Sequence, residues 1–225
     1  MNEYVAILKK VPLFSQITDN ELITLLKCLS VQVKEFKANE YVFSEGEKTN
    51  QVGIVLAGRI QLVREDFYGN RSIVTSVGEA ELFGEAFACA DISQIPISAV
   101  AQPETKVMFI DYRKILTSCS SCCGFHQQLI FNMLRIVSRK NVYLNQKIDV
   151  MSKRTTRDKL LAYLSYEAKK KGKRSFSIDF NRQELADYLY VDRSAMSNEL
   201  CKLRDEGVLS FNKNNFELLV EDDNS

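Results

Sequence analysis

Positions alternately four and three apart from Ile130 pick out Ile130, Leu134, Val137, Asn141, Leu144, Ile148 and Met151, and six of these seven are apolar. That period is the seam of a coiled coil, and no Pro or Gly interrupts the stretch. The spacing predicts a long helix that buries its stripe against a copy of itself at a two-fold axis. Asn141 is the informative seam position, because an Asn there costs stability but favours the two-stranded state in which two amides satisfy each other. The competing reading is an amphipathic helix packed on its own domain. The chain reads as β before this helix and as α after it, so the helix also connects two domains. The expected division is a β domain at 1–112, a connecting dimerisation helix at 113–151 and a helical domain at 152–220.

A chain of 225 residues that is 45% hydrophobic can bury the cores of two domains. Its net charge of +1 hides an uneven distribution: residues 151–215 carry 14 basic and nine acidic side chains, while the last ten residues carry four acids and no base. The basic excess in the helical part points to a polyanionic partner. No apolar run reaches the length of a membrane span, and the start lacks a basic and then apolar leader. A cytoplasmic protein without a membrane partner is expected, with its six irregularly spaced cysteines reduced.

In the N-terminal part, Leu13-Phe14 and Leu22 to Leu29 predict a short helical opening. From Val31 to Ile110 short apolar runs alternate with glycine turns such as Glu45-Gly46-Glu47, Val77-Gly78-Glu79 and Phe83-Gly84-Glu85. Alternation in Gly53 to Leu56 and in Ile60 to Arg64 predicts strands with faces of different polarity. This pattern suggests a sandwich or jelly-roll barrel. Metal-dependent barrel enzymes need a histidine cluster, and His126, the one histidine, lies outside the strands. No nucleophile motif or phosphate loop occurs, so a small-molecule sensor rather than an enzyme is expected.

In the C-terminal part, Leu160, Leu161 and Leu164 mark a helix that the run Lys169 to Arg174 is expected to break, as a solvated loop or a phosphate contact. Phe176, Ile178 and Phe180 read as one strand. Asn181-Arg182-Gln183-Glu184 forms a capping box, with Leu185, Ala186 and Leu189 as the apolar face of the helix behind it. Tyr190-Val191-Asp192 makes a turn, and Asp192 caps a second helix buried through Met196, Leu200 and Leu203. Arg193, Ser194, Ser197 and Asn198 are left facing outward on its first turns. A helix-turn-helix presents base-reading side chains at that place, Arg pairing with guanine and Asn with adenine. Gly207 to Phe211 and Phe216 to Leu219, joined through Asn212 to Asn215, predict a closing hairpin, the wing.

This order of parts resembles the cyclic-AMP receptor protein and FNR superfamily of bacterial transcription regulators, and the likeness covers nearly the whole chain. Its most specific carriers are Arg182-Gln183-Glu184-Leu185-Ala186-Asp187-Tyr188-Leu189 and Asp192-Arg193-Ser194-Ala195-Met196-Ser197. The resemblance implies an α+β chain: an N-terminal β-roll like a cyclic-nucleotide-binding domain, a long dimerisation helix and a C-terminal winged helix-turn-helix. It implies base contacts from Arg193, Ser194 and Asn198, with Ser197 beside them, and phosphate contacts from Arg182 and Gln183. Tyr190 departs from the Gly that many relatives carry in the turn, which implies strain there.

Phe83-Gly84-Glu85 resembles the family's phosphate-binding cassette. The cyclic-AMP members need an Arg before Ser-Ala, and here Ile97 precedes Ser98-Ala99. An anionic phosphate facing Ile97 loses its charge-assisted partner. The adenine-facing positions fall near Val142 and Tyr143, which departs from the expected hydroxyl pattern. Tight cyclic-AMP binding is therefore not expected, and Gly84 and Glu85 serve either a turn and helix start or a pocket for another ligand. An FNR-type iron-sulfur cluster is not expected, because no cysteine precedes Cys28; Cys119, Cys122 and Cys123 could with Cys89 form a metal or iron-sulfur site or a thiol switch, but the favoured reading is small apolar side chains in ordinary packing. The expected protein is a homodimeric regulator of palindromic duplex DNA, controlled by a small-molecule or redox effector and working with RNA polymerase. The alternative is a nucleotide-binding or protein-docking module that binds no DNA.

Overall fold

The computed structural model describes residues 2–65, 67–68, 71–117 and 124–219. The chain divides into two compact units, residues 1–139 and 140–225.

The first unit opens with a 3-10 turn at Asn2–Tyr4, helix α1 (Val5–Leu8), a second 3-10 turn at Pro12–Phe14 and helix α2 (Asp19–Cys28). Glu21 at the start of α2 accepts from both the backbone N–H and the hydroxyl of Thr18, at 2.8 and 2.7 Å. Strands β1 (Gln32–Phe36), β2 (Tyr41–Phe43), β3 (Gln51–Ala57), β4 (Ile60–Glu65), β5 (Arg71–Val77) and β6 (Leu82–Phe83) follow. After helix α3 (Glu85–Cys89) come β7 (Ser98–Ala101), β8 (Thr105–Asp111) and helix α4 (Tyr112–Leu116). Two four-stranded antiparallel sheets result, ordered β1-β8-β3-β6 and β2-β7-β4-β5. This is the expected β-roll.

The central strands of the first sheet, β3 and β8, are buried on both faces, while β1 at its edge is largely exposed. Val55 of β3 and Val107 and Phe109 of β8 point into the roll, while Val52, Ile54, Met108 and Ile110 pack outward against Leu8, Phe14, Leu22 and Leu25. The expectation of faces of different polarity is therefore corrected for β3: the helical opening covers the face that a lone sandwich would expose. In β4 a register shift between Leu62 and Val63 turns Val63 inward and interrupts the simple alternation.

Helix α5 (Gly124–Ser152) runs on from the first unit into the second. Its first half gives Leu129 and Met133 to the first unit's core. His126 is buried there, its Nε2 3.0 Å from the Lys114 carbonyl.

The second unit continues with α6 (Thr156–Lys171), β9 (Ser175–Ser177), α7 (Arg182–Leu189), α8 (Arg193–Asp205), β10 (Leu209–Asn212) and β11 (Asn215–Leu218). Its sheet is ordered β10-β11-β9, closing on a core of Leu160, Leu164, Leu185, Leu200 and Phe216. Two expectations are corrected. The lysine run does not break the helix: Lys169 to Lys171 form its last turn, where cations complement the carbonyl end, and Gly172 ends it at φ 64°. The strand at Phe176 stops at Ser177, although Ile178 stays buried and donates to the Asn214 carbonyl at 2.9 Å.

Candidate functional site

The capping box of α7 is complete: Asn181 Oδ1 accepts from Gln183 and Glu184 N–H, and Glu184 accepts from Asn181 N–H. Tyr190 ends the helix in the left-handed region at φ 51°, ψ 55°, a conformation that costs a non-glycine residue about 1 to 2 kcal/mol. Lys147 lies over its ring at 5.8 Å and over Tyr188 at 5.2 Å. Asp192 then caps α8, accepting from Ala195 N–H at 2.8 Å. Because Met196, Leu200 and Leu203 are buried, Arg193, Ser194 and Asn198 stand exposed on the opposite side of the first turns, with Ser197 half-buried beside them.

Sequence reasoning missed Arg157. From the first turn of α6 its guanidinium reaches Glu206 Oε1 at 3.1 Å and Glu199 Oε1 at 3.4 Å, and it also bonds Glu206 Oε2. These contacts tie α6 to the middle and the C-terminal end of α8, and the hydrogen bond from Arg157 lowers the Glu206 carboxyl below its ordinary range. No local signal could reveal a pair more than 40 residues apart.

Arg182 is placed differently from a free phosphate contact. Its guanidinium lies 5.0 Å from the ring centres of both Phe211 and Phe216, and its Nη2 donates to the Lys213 carbonyl at 2.8 Å. Burial against those rings lowers its pKa. The side chain thus grips the wing turn, where Lys213 itself has φ 52°. Gln183 donates from Nε2 to Asp187 at 2.8 Å and remains exposed.

In the roll, Phe83 turns inward and packs on Phe43, ring centres 5.5 Å apart, while Phe43 and Phe36 both meet Phe109 edge-on. This aromatic cluster explains two glycines. A Cβ at Gly53 would lie 2.3 Å from the Phe83 ring, and one at Gly84, where φ is 79°, would lie 2.9 Å from Phe43. Glu85 and Ser98 are buried, Ile97 is only 7% exposed, and Ser98 Oγ accepts from Glu45 N–H at 2.9 Å. These five candidate pocket residues, Phe83, Gly84, Glu85, Ile97 and Ser98, belong to the first unit; Val142 and Tyr143 belong to the second and are exposed.

Along α5 the middle of the stripe is uncovered among the described residues: Leu134, Leu144 and Ile148 are 63%, 55% and 64% exposed, with Val137 also open. Ile130 and Met151 are half-buried, and Asn141 accepts from Asn145 Nδ2 at 2.7 Å. Cys89 is exposed at the end of α3, where desolvation and then the nearby Glu85 raise its thiol pKa, away from the thiolate that redox exchange uses. Cys119, Cys122 and Cys123 lie outside the described residues.

Two family models match these two units. The cyclic nucleotide-binding domain matches residues 33–122, and the Crp-like helix-turn-helix domain matches residues 158–222. The chain belongs to the cyclic-AMP receptor protein and FNR superfamily. This Crp-like transcription regulator carries a helix-turn-helix DNA-binding domain. It is similar to the CRP-like cAMP-activated global transcriptional regulator of Mycobacterium tuberculosis, 22% identical over 203 residues and 89% of each chain. Its fold is similar to the catabolite activator protein of Thermus thermophilus, with a TM-score of 0.55 and 22% identity over 92% of this chain and 93% of that one. The sensor domain of the regulator DNR from Pseudomonas aeruginosa matches 67% of this Crp-like chain and 94% of its own length, at TM-score 0.52 and 20% identity.

Proposed function

We propose that this Crp-like regulator acts as a cytoplasmic homodimer that reads a pseudo-palindromic duplex, with half-sites one helical turn, roughly 34 Å, apart. The supporting observation is the outward row Arg193, Ser194 and Asn198 on a helix whose cap, turn and buried face are all in place. Arg193 is assigned guanine reading and Asn198 adenine reading, with Ser194 and Ser197 completing the polar surface. Gln183 is assigned a phosphate contact. Arg182 is assigned an indirect one: it holds the wing turn so that Lys213 meets the duplex backbone.

The uncovered stripe from Ile130 to Met151 supports pairing of two α5 helices. In that arrangement 1–112 senses, 113–151 couples and dimerises, and 152–220 binds DNA. An effector in the roll shifts the population between two packings of the α5 pair, which moves both recognition helices together and alters contact with RNA polymerase. The relative from Mycobacterium tuberculosis is named as cAMP-activated. Here the buried Ile97 and the Phe43, Phe83 and Phe109 rings favour an effector other than cyclic AMP. Selection of random duplexes by the purified protein, with and without candidate effectors, tests the reading: a palindrome enriches if it holds, and an unchanged pool in every condition refutes it.

A further inference from the structure

The face of α5 turned away from the uncovered stripe carries Asn132, Arg135, Ile136 and Arg139, spaced i, i+3, i+4 and i+7 and so collected on one side of the helix. Together with the loop from Lys9 to Gln16 they line a cavity of about 360 Å³. Its floor is built by Asn132, which is buried. The Asn132 amide donates to the carbonyls of Leu13 at 2.9 Å and Ser15 at 2.8 Å and accepts from Gln128 at 3.0 Å. The loop is therefore pinned to α5, with Gln16 at φ 65° among the residues that line the cavity.

Charge distinguishes this cavity. Four cations line it, Lys9, Lys10, Arg135 and Arg139, and no acidic side chain does so among the described residues. Lys9 is already committed to Asp19 at 3.0 Å and to the Ile17 carbonyl at 3.0 Å. Arg135 rests over the Phe131 ring at 4.6 Å without an acid, and the side chains of Lys10 and Arg139 have no ion pair or hydrogen bond among the described residues. Two guanidinium groups one helical turn apart have Cβ atoms about 5 to 6 Å apart, a span that suits two linked phosphoryl groups, each able to accept a forked pair of N–H donors. The volume suits a metabolite of nucleotide size.

We propose that this cavity binds a small phosphate-bearing anion with at least two linked phosphoryl groups, held by Lys10, Arg135 and Arg139. Such a ligand ties the N-terminal loop to the helix that couples sensor and DNA-binding domain, and it enters by a route separate from the interior of the β-roll.

Titration of the full chain with inorganic diphosphate, by calorimetry and thermal melting in EDTA without DNA, tests this directly and does not depend on the duplex reading. The expected result is one site per chain, a raised melting temperature, and at least tenfold weaker binding of orthophosphate. R135Q with R139Q, both exposed and outside the core, should weaken diphosphate at least tenfold without changing the melting temperature of the free protein. R193A should leave it unchanged. No binding at millimolar diphosphate overturns the proposal. So does binding that survives R135Q with R139Q, or binding lost in R193A, which would place the anion on the DNA-reading face.

Discussion

The two units treat the family's pattern in opposite ways. The winged-helix unit retains each part of its surface: Asn181 and Asp192 cap, Leu185 and Met196 bury, and Arg193 and Asn198 face out. The β-roll retains Gly84 and Glu85 but sets Phe43 of a packed phenylalanine cluster against Gly84 and buries Ile97 ahead of Ser98. A surface that meets a charged polymer depends on a few exposed side chains placed by one short helix. A pocket depends on side chains brought together from several strands, so one substitution inside it can change the ligand while the fold stays the same.

The largest expected effect is on the α5 stripe that both units share. Leu134→Glu with Ile148→Glu removes four apolar side chains from the proposed pair, costing about 6 kcal/mol or more of dimer stability at roughly 1.5 to 3 kcal/mol each. Sedimentation should find monomers with an unchanged circular dichroism spectrum; dimers would show that the stripe packs elsewhere. Next comes the wing. Arg182→Ala and Lys213→Ala should each lower the salt slope of duplex binding by about 0.9. The double variant should match either single if Arg182 acts through the wing, whereas a fall of about 1.8 would assign Arg182 its own phosphate.

If charge at one position were all that the roll lacks, Ile97→Arg would restore cyclic-AMP binding. With the Phe43 and Phe83 rings in place, calorimetry should find no micromolar affinity, and a micromolar value would make Ile97 the whole difference. The smallest effect concerns Tyr190. Tyr190→Gly relieves about 1 kcal/mol of left-handed strain but loses the ring contact with Lys147, worth about 0.5 to 1 kcal/mol, so urea unfolding should shift little. In a Lys147→Ala background the same change should stabilise the second unit by about 1 kcal/mol.

The order of elements and the helix-turn-helix were legible in the sequence because their signals are local. A capping box spans four residues, and the stripe Met196, Leu200, Leu203 spans eight. Features that depend on distant partners were not legible. The outward face of β3 is buried by helices that precede it, and the end of α6 is decided by Gly172 and the helix dipole rather than by the lysine run. Arg182 turns to the wing because Phe211 and Phe216 return beside it some 30 residues later. The basic cavity joins Lys10 to Arg139 across most of the first unit.

In the proposed complex α8 reads bases while the rest of the unit supplies position. Binding of wild type and Arg193→Ala to an enriched palindrome and to a scrambled duplex, over a series of salt concentrations, tests it most directly. Arg193→Ala should lose about 1 to 3 kcal/mol on the palindrome alone, with preference relaxed at one base pair of each half-site. An equal loss on both duplexes with a shallower salt slope would contradict it, making Arg193 one more phosphate contact.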